Sequence, residues 1–243
     1  MNPAGPFPDP FPVLGEDEVH VWKRDLQGDE TETAGAWAVL SDEEQARAAG
    51  FKVERPRQQF VFARAALRMI AGKYLQMNPR DLSFESGEHG KPYLQGPPAP
   101  LEYNISHTHN LALLAFTRRR PVGVDVEWLG RRLSHDDVAK RFFSPEEQEQ
   151  LAQVSPTDRP RAFLECWTRK EAYLKARGAG LSRDTRTFTV ALGADAGVTL
   201  REDLVEPAAV ADWEIFPLEP ERDYCGAVVV ANGSVELKVV CHW

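Results

Sequence analysis

A chain of 243 residues, 42% hydrophobic and 27% charged, can bury a sizeable core without covalent staples and fits one large domain or two compact ones. This composition rules out collagenous, disordered and disulfide-framework classes, and no stretch reaches the roughly 20 apolar residues that span a bilayer. A formal net charge of −8, from 29 basic and 37 acidic residues, argues against a nucleic-acid binder relying on bulk phosphate attraction. It leaves open a small phosphorylated ligand, which needs only a few local cations.

The opening MNPAGPFPDPFPVLG puts five prolines in its first twelve residues and lacks the basic start and apolar run of a signal peptide. It reads as an extended leader in a cytoplasmic protein. VHVWKRDL (19–26) alternates as a first strand. Ser41 and Glu44 have capping-box spacing, and EEQARAAGF follows as a short helix. From about Gln58 to Leu75 the pattern is helical, with Phe60, Leu67, Ile70 and Tyr74 on one stripe and a stop before Asn78-Pro79. Short strands are expected around DLSFES, KPYL, LEYNISH and LALLAFTR, broken by GPPAP at 96–100. Arg118, Arg119 and Arg120 precede Pro121 and read as a solvated turn before the strand VGVDVEWL.

The second half repeats this order of elements. HDDVAKRFF and SPEEQEQLAQV are expected helices, the latter with Ser144 as N-cap, Pro145 at N1 and Glu147 at N3. A long helix runs from about Asp158 to Arg177 and ends at Gly178. Strands follow near RTFTVAL, VTLRED, DWEIFPL, YCGAVVVA and VELKVVCHW. Helices followed by antiparallel strands in each half predict an α+β fold with a boundary between residues 118 and 119. No residue-level repeat is visible between the halves.

Asp125 and Glu127, two apart on a strand, project from one face and can share a divalent cation. Polar-out alternation on a half-buried strand gives the same pattern with no function. Glu171 lies on or beside the apolar stripe of Phe163, Trp167 and Leu174, and Lys175 follows one turn later. The pair reads either as a surface i,i+4 ion pair or as a carboxylate needing a partner such as a shared metal. Three carboxylates without a cysteine or histidine set select a hard cation, magnesium before others, and so point toward phosphate chemistry. Cys166, Cys225 and Cys241 show no CxxC or Cys/His clustering. His107, with Ser106 before it and His109 after, is either a structural strand-end histidine or a catalytic one, and Gly90-Lys91-Pro92 joins a turn to a cation.

Taken in order, GKP (90–92), NISH (104–107), GVDVE (123–127) and WTRKEAYLK (167–175) resemble the Sfp-type 4′-phosphopantetheinyl transferases over roughly residues 41 to 181. The resemblance implies two similar α+β halves about a pseudo-twofold axis, with coenzyme A in the cleft between them and a single-chain monomer. By the same resemblance Asp125, Glu127 and Glu171 bind magnesium, and Glu171 is also the general base. Lys175 lies near the reacting phosphates, while Ser106 and His107 contact coenzyme A phosphates. Lys91 and Pro92 sit beside the adenine and its ribose phosphate. Arg47 contacts the 3′-phosphate, with Arg64 as a substitute because Glu44 stands one turn before Arg47.

The implied reaction moves 4′-phosphopantetheine from coenzyme A to a serine of an acyl or peptidyl carrier protein and releases adenosine 3′,5′-bisphosphate. Such carriers are usually acidic, so an enzyme of −8 charge needs a local docking patch. Arg118 to Arg120, Trp128, Arg131 and Arg132 are the candidates. A magnesium-dependent hydrolase of coenzyme A or nucleotide pyrophosphates would use the same carboxylates with water as nucleophile. A carrier-binding module that has lost catalysis would need a broken acidic set, whereas all three carboxylates are present.

Overall fold

A computed structural model describes residues 7–86, 92–95, 101–131, 134–178, 183–192, 200–233 and 236–243. The first half opens with strand β1 (Glu18–Asp25) and helices α1 (Glu30–Ala38), α2 (Asp42–Ala49) and α3 (Glu54–Leu75). Strands β2 (Phe84–Ser86), β3 (Pro92–Leu94), β4 (Leu101–Thr108) and β5 (Leu111–Arg118) follow. The second half begins with β6 (Val122–Trp128), then helices α4 (His135–Phe142), α5 (Pro145–Gln153) and α6 (Arg159–Arg177). It closes with β7 (Phe188–Val190), β8 (Leu200–Asp203), β9 (Trp213–Leu218), β10 (Tyr224–Ala231) and β11 (Lys238–His242).

Local chemistry sets these boundaries. Ser41 and Glu44 close a reciprocal capping box on α2, and Ser144 and Glu147 close another on α5, so two orphan amides are satisfied at each start. Gly178 ends α6 in the left-handed region at φ 65°, where a residue without a Cβ carries no steric penalty. Helix α1 was not expected from periodicity, although Asp29 and Glu32 form a third capping box. Helix α3 begins at Glu54, four residues before the expected start at Gln58.

The strands form two main sheets, ordered β11-β1-β5-β4 and β6-β10-β9, and two small hairpins, β2-β3 and β7-β8. Each half was expected to be antiparallel throughout. Instead β11 leaves the second half and pairs in parallel with β1, Val21 opposite Cys241, so the first sheet is mixed. Apolar residues fall into three layers. Trp22, Leu114 and Phe116 pack against Leu67 and Ile70 of α3. Val19, Val21, Leu113 and Ala115 meet Val122, Val124 and Val228 between the sheets. Phe163, Tyr173 and Leu174 of α6 pack on Ile215, Ala227 and Val229. The molecule is therefore an α/β/β/α sandwich whose two sheets face each other. Each valine fully buried in the middle layer contributes roughly 1.5 kcal/mol or more. Among the described residues no helix is long and apolar enough to cross a membrane.

Candidate active site

Strand β6 is the edge of its sheet, and its two faces differ in kind. Val122, Val124 and Val126 point into the layer between the sheets. Gly123, Asp125 and Glu127 point the other way, toward α6. A Cβ at Gly123 would collide with the Ala172 carbonyl and the Ala176 amide, so the missing side chain lets α6 lie directly on β6. That close approach carries Glu171 and Lys175, one helical turn apart, to the face holding the strand carboxylates. Asp125 and Glu127 are only 6% and 8% exposed, so the alternation does not mark a solvated face.

The first half contributes β4, the edge strand of the other sheet. Its alternate residues Asn104, Ser106 and Thr108 all reach β6. The Val124 amide donates to Asn104 Oδ1 at 2.9 Å, Ser106 Oγ donates to Asp125 Oδ1 at 2.7 Å, and Thr108 Oγ1 donates to Glu127 Oε2 at 3.4 Å. Lys175 Nζ ties the groups together, donating to Asp125 Oδ1 at 2.6 Å, Ser106 Oγ at 2.9 Å and the Val124 carbonyl at 3.2 Å. The reading of Lys175 as half of a surface pair with Glu171 gives way to a cross-element contact. Arg131 Nη1 donates to Glu127 Oε1 at 2.9 Å.

The site is short of positive charge. Burial first, then the Asp125 and Glu127 charges, push the partly buried Glu171 carboxyl above its ordinary pKa, with Lys175 opposing. Burial and then Asp125 raise Glu127 as well, with Arg131 and Lys175 opposing. Asp125 Oδ2 is buried with no hydrogen-bond partner, although buried polar atoms ordinarily have one. Among the described residues no trio of His, Cys, Asp or Glu side chains is arranged as a ready metal cage. The donor chemistry nonetheless fits a hard divalent cation: three carboxylates, no sulfur, one orphaned oxygen and two carboxyls made costly to ionise. His107 is exposed by surface area yet crowded enough that desolvation, and then the Lys175 charge, lower its imidazole pKa.

Other sequence candidates lie further out. Arg47 is exposed on α2 with its guanidinium 5.0 Å from the centre of the Phe60 ring. Arg64 is held by Glu44, Nη2 to Oε1 at 2.5 Å, and lies over Phe84. Pro92 opens β3, while Lys91 and Arg132 lie outside the described residues. Trp128 stacks on His109 with ring centres 4.2 Å apart. Of the three central arginines, Arg118 ends β5, Arg119 adopts φ 58°, and Arg120 pairs with Asp17 at 2.8 Å.

Sequence reasoning missed Asn104, Thr108 and Gly123 as parts of the site. The signal for the first two was their period-two spacing around Ser106 in Asn104-Ile-Ser-His-Thr108. For Gly123 it was the absence of a side chain on the strand face that also carries two carboxylates.

Residues 121–229 match the family model described as the 4′-phosphopantetheinyl transferase superfamily, and residues 26–119 match that of the 4′-phosphopantetheinyl transferase N-terminal region. Over 222 residues the chain is 35% identical to the 4′-phosphopantetheinyl transferase HetI of Nostoc sp., covering 90% of each protein. It is 27% identical over 181 residues to the 4′-phosphopantetheinyl transferase Sfp of Bacillus subtilis, covering 74% of this chain and 79% of that one. Among solved structures, holo-[acyl-carrier-protein] synthase from Neisseria meningitidis aligns with a TM-score of 0.38 and 21% identity, over 46% of this chain and 98% of that one. The chain belongs to the Sfp-type 4′-phosphopantetheinyl transferase family.

Proposed function

We propose that the protein transfers the 4′-phosphopantetheine group of coenzyme A to a serine of an acyl or peptidyl carrier protein, releasing adenosine 3′,5′-bisphosphate. The observation that carries this reading is the junction of Ser106, Asp125 and Lys175 between the two halves, beside a buried carboxylate oxygen that lacks a partner. In the transfer, the carrier serine oxygen bonds to the phosphorus attached to pantetheine. The pyrophosphate bridge to that phosphorus breaks, and the nucleotide leaves.

Lys175 supplies a charge-assisted hydrogen bond to the pyrophosphate, and Ser106 and His107 line the same phosphates. Glu171 takes the serine proton. Arg131 and Thr108 orient Glu127. Magnesium held by Asp125, Glu127 and Glu171 supplies charge neutralisation at the pyrophosphate when bound.

Arg47 is the better holder of the 3′-phosphate, because Glu44 already balances Arg64 while Arg47 is exposed. Lys91 and Pro92 are assigned to the adenine side by their place in the GKP motif. The carrier docks against Trp128, Arg131, Arg132 and the Arg118–Arg120 turn. The enzyme works as a cytoplasmic monomer with halves 1–118 and 119–243, the last strand lent to the first sheet.

Intact mass of apo carriers after incubation with coenzyme A and magnesium tests the reaction. A gain of one phosphopantetheine group is expected. Cleavage of coenzyme A without any carrier, and no mass gain with one, would replace the transferase by a pyrophosphate hydrolase.

A further inference from the structure

The geometry points to Asn104 as a positioning residue that holds the free edge of β6, and with it Asp125, in register against β4. The inference rests on the transferase reading of this site. Among the described residues β6 pairs within its sheet with β10 alone. Its other edge presents the Val124 amide and carbonyl to the junction between the halves, where β4 approaches but belongs to a different sheet. An unpaired buried amide costs free energy comparable to a lost hydrogen bond. Asn104, itself 5% exposed, accepts that amide on Oδ1, and Lys175 Nζ donates to the carbonyl.

Three alternate residues of β4 thus meet three successive points of β6: Asn104 at Val124, Ser106 at Asp125 and Thr108 at Glu127. They are not equivalent. Ser106 and Thr108 hold carboxylates, whose partners change when a cation or phosphate arrives. Asn104 holds backbone, a contact that no ligand replaces. It is therefore the rung that keeps β6 in place while the others exchange partners. A shift of about 1 Å at a reacting group can cost roughly 100-fold in rate. The chemistry needs an acceptor at this reach. Alanine and serine are too short, and aspartate keeps the acceptor.

The test uses the full chain, with coenzyme A and a carrier that the unaltered protein modifies. Asn104→Ala is expected to lower kcat at least 10-fold, with KM for coenzyme A within about threefold. It should also weaken Mn2+ binding in calorimetry without coenzyme A. Asn104→Asp should recover kcat to within about threefold of the unaltered protein. If Asn104→Ala does not fold, Asn104→Ser reads the same quantities. A merely structural role predicts a lower melting temperature with kcat per folded molecule and Mn2+ affinity unchanged, and that outcome overturns the inference. So does an Asn104→Asp variant as slow as Asn104→Ala. The unaltered protein, run alongside, separates the two levels. If it modifies no carrier, the transferase reading fails; if it does and the alanine variant matches it, only the role of Asn104 fails.

Discussion

In the second half, the face of β6 against α6 carries Gly123, Asp125 and Glu127; the matching face of β1 against α3 carries His20, Trp22 and Arg24. Residue numbers rising by 103 take Ser41 and Glu44 onto Ser144 and Glu147, and Val19-His-Val-Trp22 onto Val122-Gly-Val-Asp125. The left-handed caps of the two long helices, Gln76 and Gly178, stand 102 apart, which sets Met69 and Lys73 opposite Glu171 and Lys175. In each half the capping-box glutamate is buried against the long helix. Glu44 is held by Arg64 and Arg68, and Glu147 by Lys170. The frame is thus duplicated while the face between strand and helix is not.

In the first half that face is filled. The Tyr74 hydroxyl bonds both the His20 ring at 2.7 Å and Trp22 Nε1 at 2.9 Å. His242, from β11, stacks on Trp22 with ring centres 3.9 Å apart, and Phe11 stacks on the same indole at 5.2 Å. Where the Val124 edge of β6 is met by side chains of β4 and α6, the outer edge of β1 is paired from Glu18 to Trp22 with β11. One frame therefore yields a chemically open junction and a packed one, according to whether the strand face bears small and acidic residues or aromatic ones.

The most severe way to break the contrast is Asp125→Ala. Turnover should fall by about 10³-fold or more, because charge neutralisation at phosphate is lost, while circular dichroism stays unchanged. Its counterpart Trp22→Ala should do the reverse, losing about 3–5 kcal/mol of stability in denaturant unfolding with kcat per folded molecule within about twofold. Full activity of Asp125→Ala in chelator would show that the acidic face carries no metal-dependent step.

The buried ion pairs sharpen the comparison between halves. Lys170 and Glu147 are 2% and 0% exposed at the side chain, and Lys170 also donates to the Phe188 carbonyl. Lys170→Met strands a buried carboxylate and should cost about 3–5 kcal/mol. Arg64→Met leaves Arg68 on Glu44 and should cost only about 1 kcal/mol. Equal losses in urea unfolding would mean that the two glutamates are not held in comparable ways.

Within α6 the expected losses divide. Glu171→Gln should lower kcat by about 10²-fold through loss of the base. Lys175→Ala should also raise KM for coenzyme A, since its cation meets phosphate before and during reaction.

The smallest effect is a gain. A carboxyl whose pKa is raised on folding binds its proton more tightly in the native state, so its ionisation opposes folding above that pKa. In metal-free buffer at neutral pH, Glu171→Gln should melt slightly higher than the unaltered protein. The gain should vanish as pH falls below the ordinary glutamate pKa, where both forms are neutral. Glu44 behaves oppositely. Although burial raises it, Arg68 and Arg64 hold it below its ordinary value, so the stability it contributes is present above that value and lost as pH falls through the lower, folded one. Thermal melts of Glu171→Gln and Glu44→Gln across pH distinguish the two signs.

Local physics wrote much of this molecule into the chain. Capping boxes at Ser41 and Ser144, the αL stop at Gly178 and the period-two run from Val122 to Glu127 depend on neighbours a few residues away, so they are legible in order along the sequence. The family, and the chemistry it brings, were legible because its motifs are short and local. Helix α1 was overlooked because ETETAGAWA has no strong apolar stripe, though its capping box was in plain view. Only the tertiary structure decided which sheet takes β11, because an exposed strand edge accepts any partner whose backbone can reach it. Only it decided that Asp125 and Glu127 face a helix instead of water, since alternation states that two faces differ and not what covers them. Lys175 bonds across to Asp125 and Ser106, with Asn104 steadying the strand between them, because residues 50 and 69 positions apart meet there through packing alone.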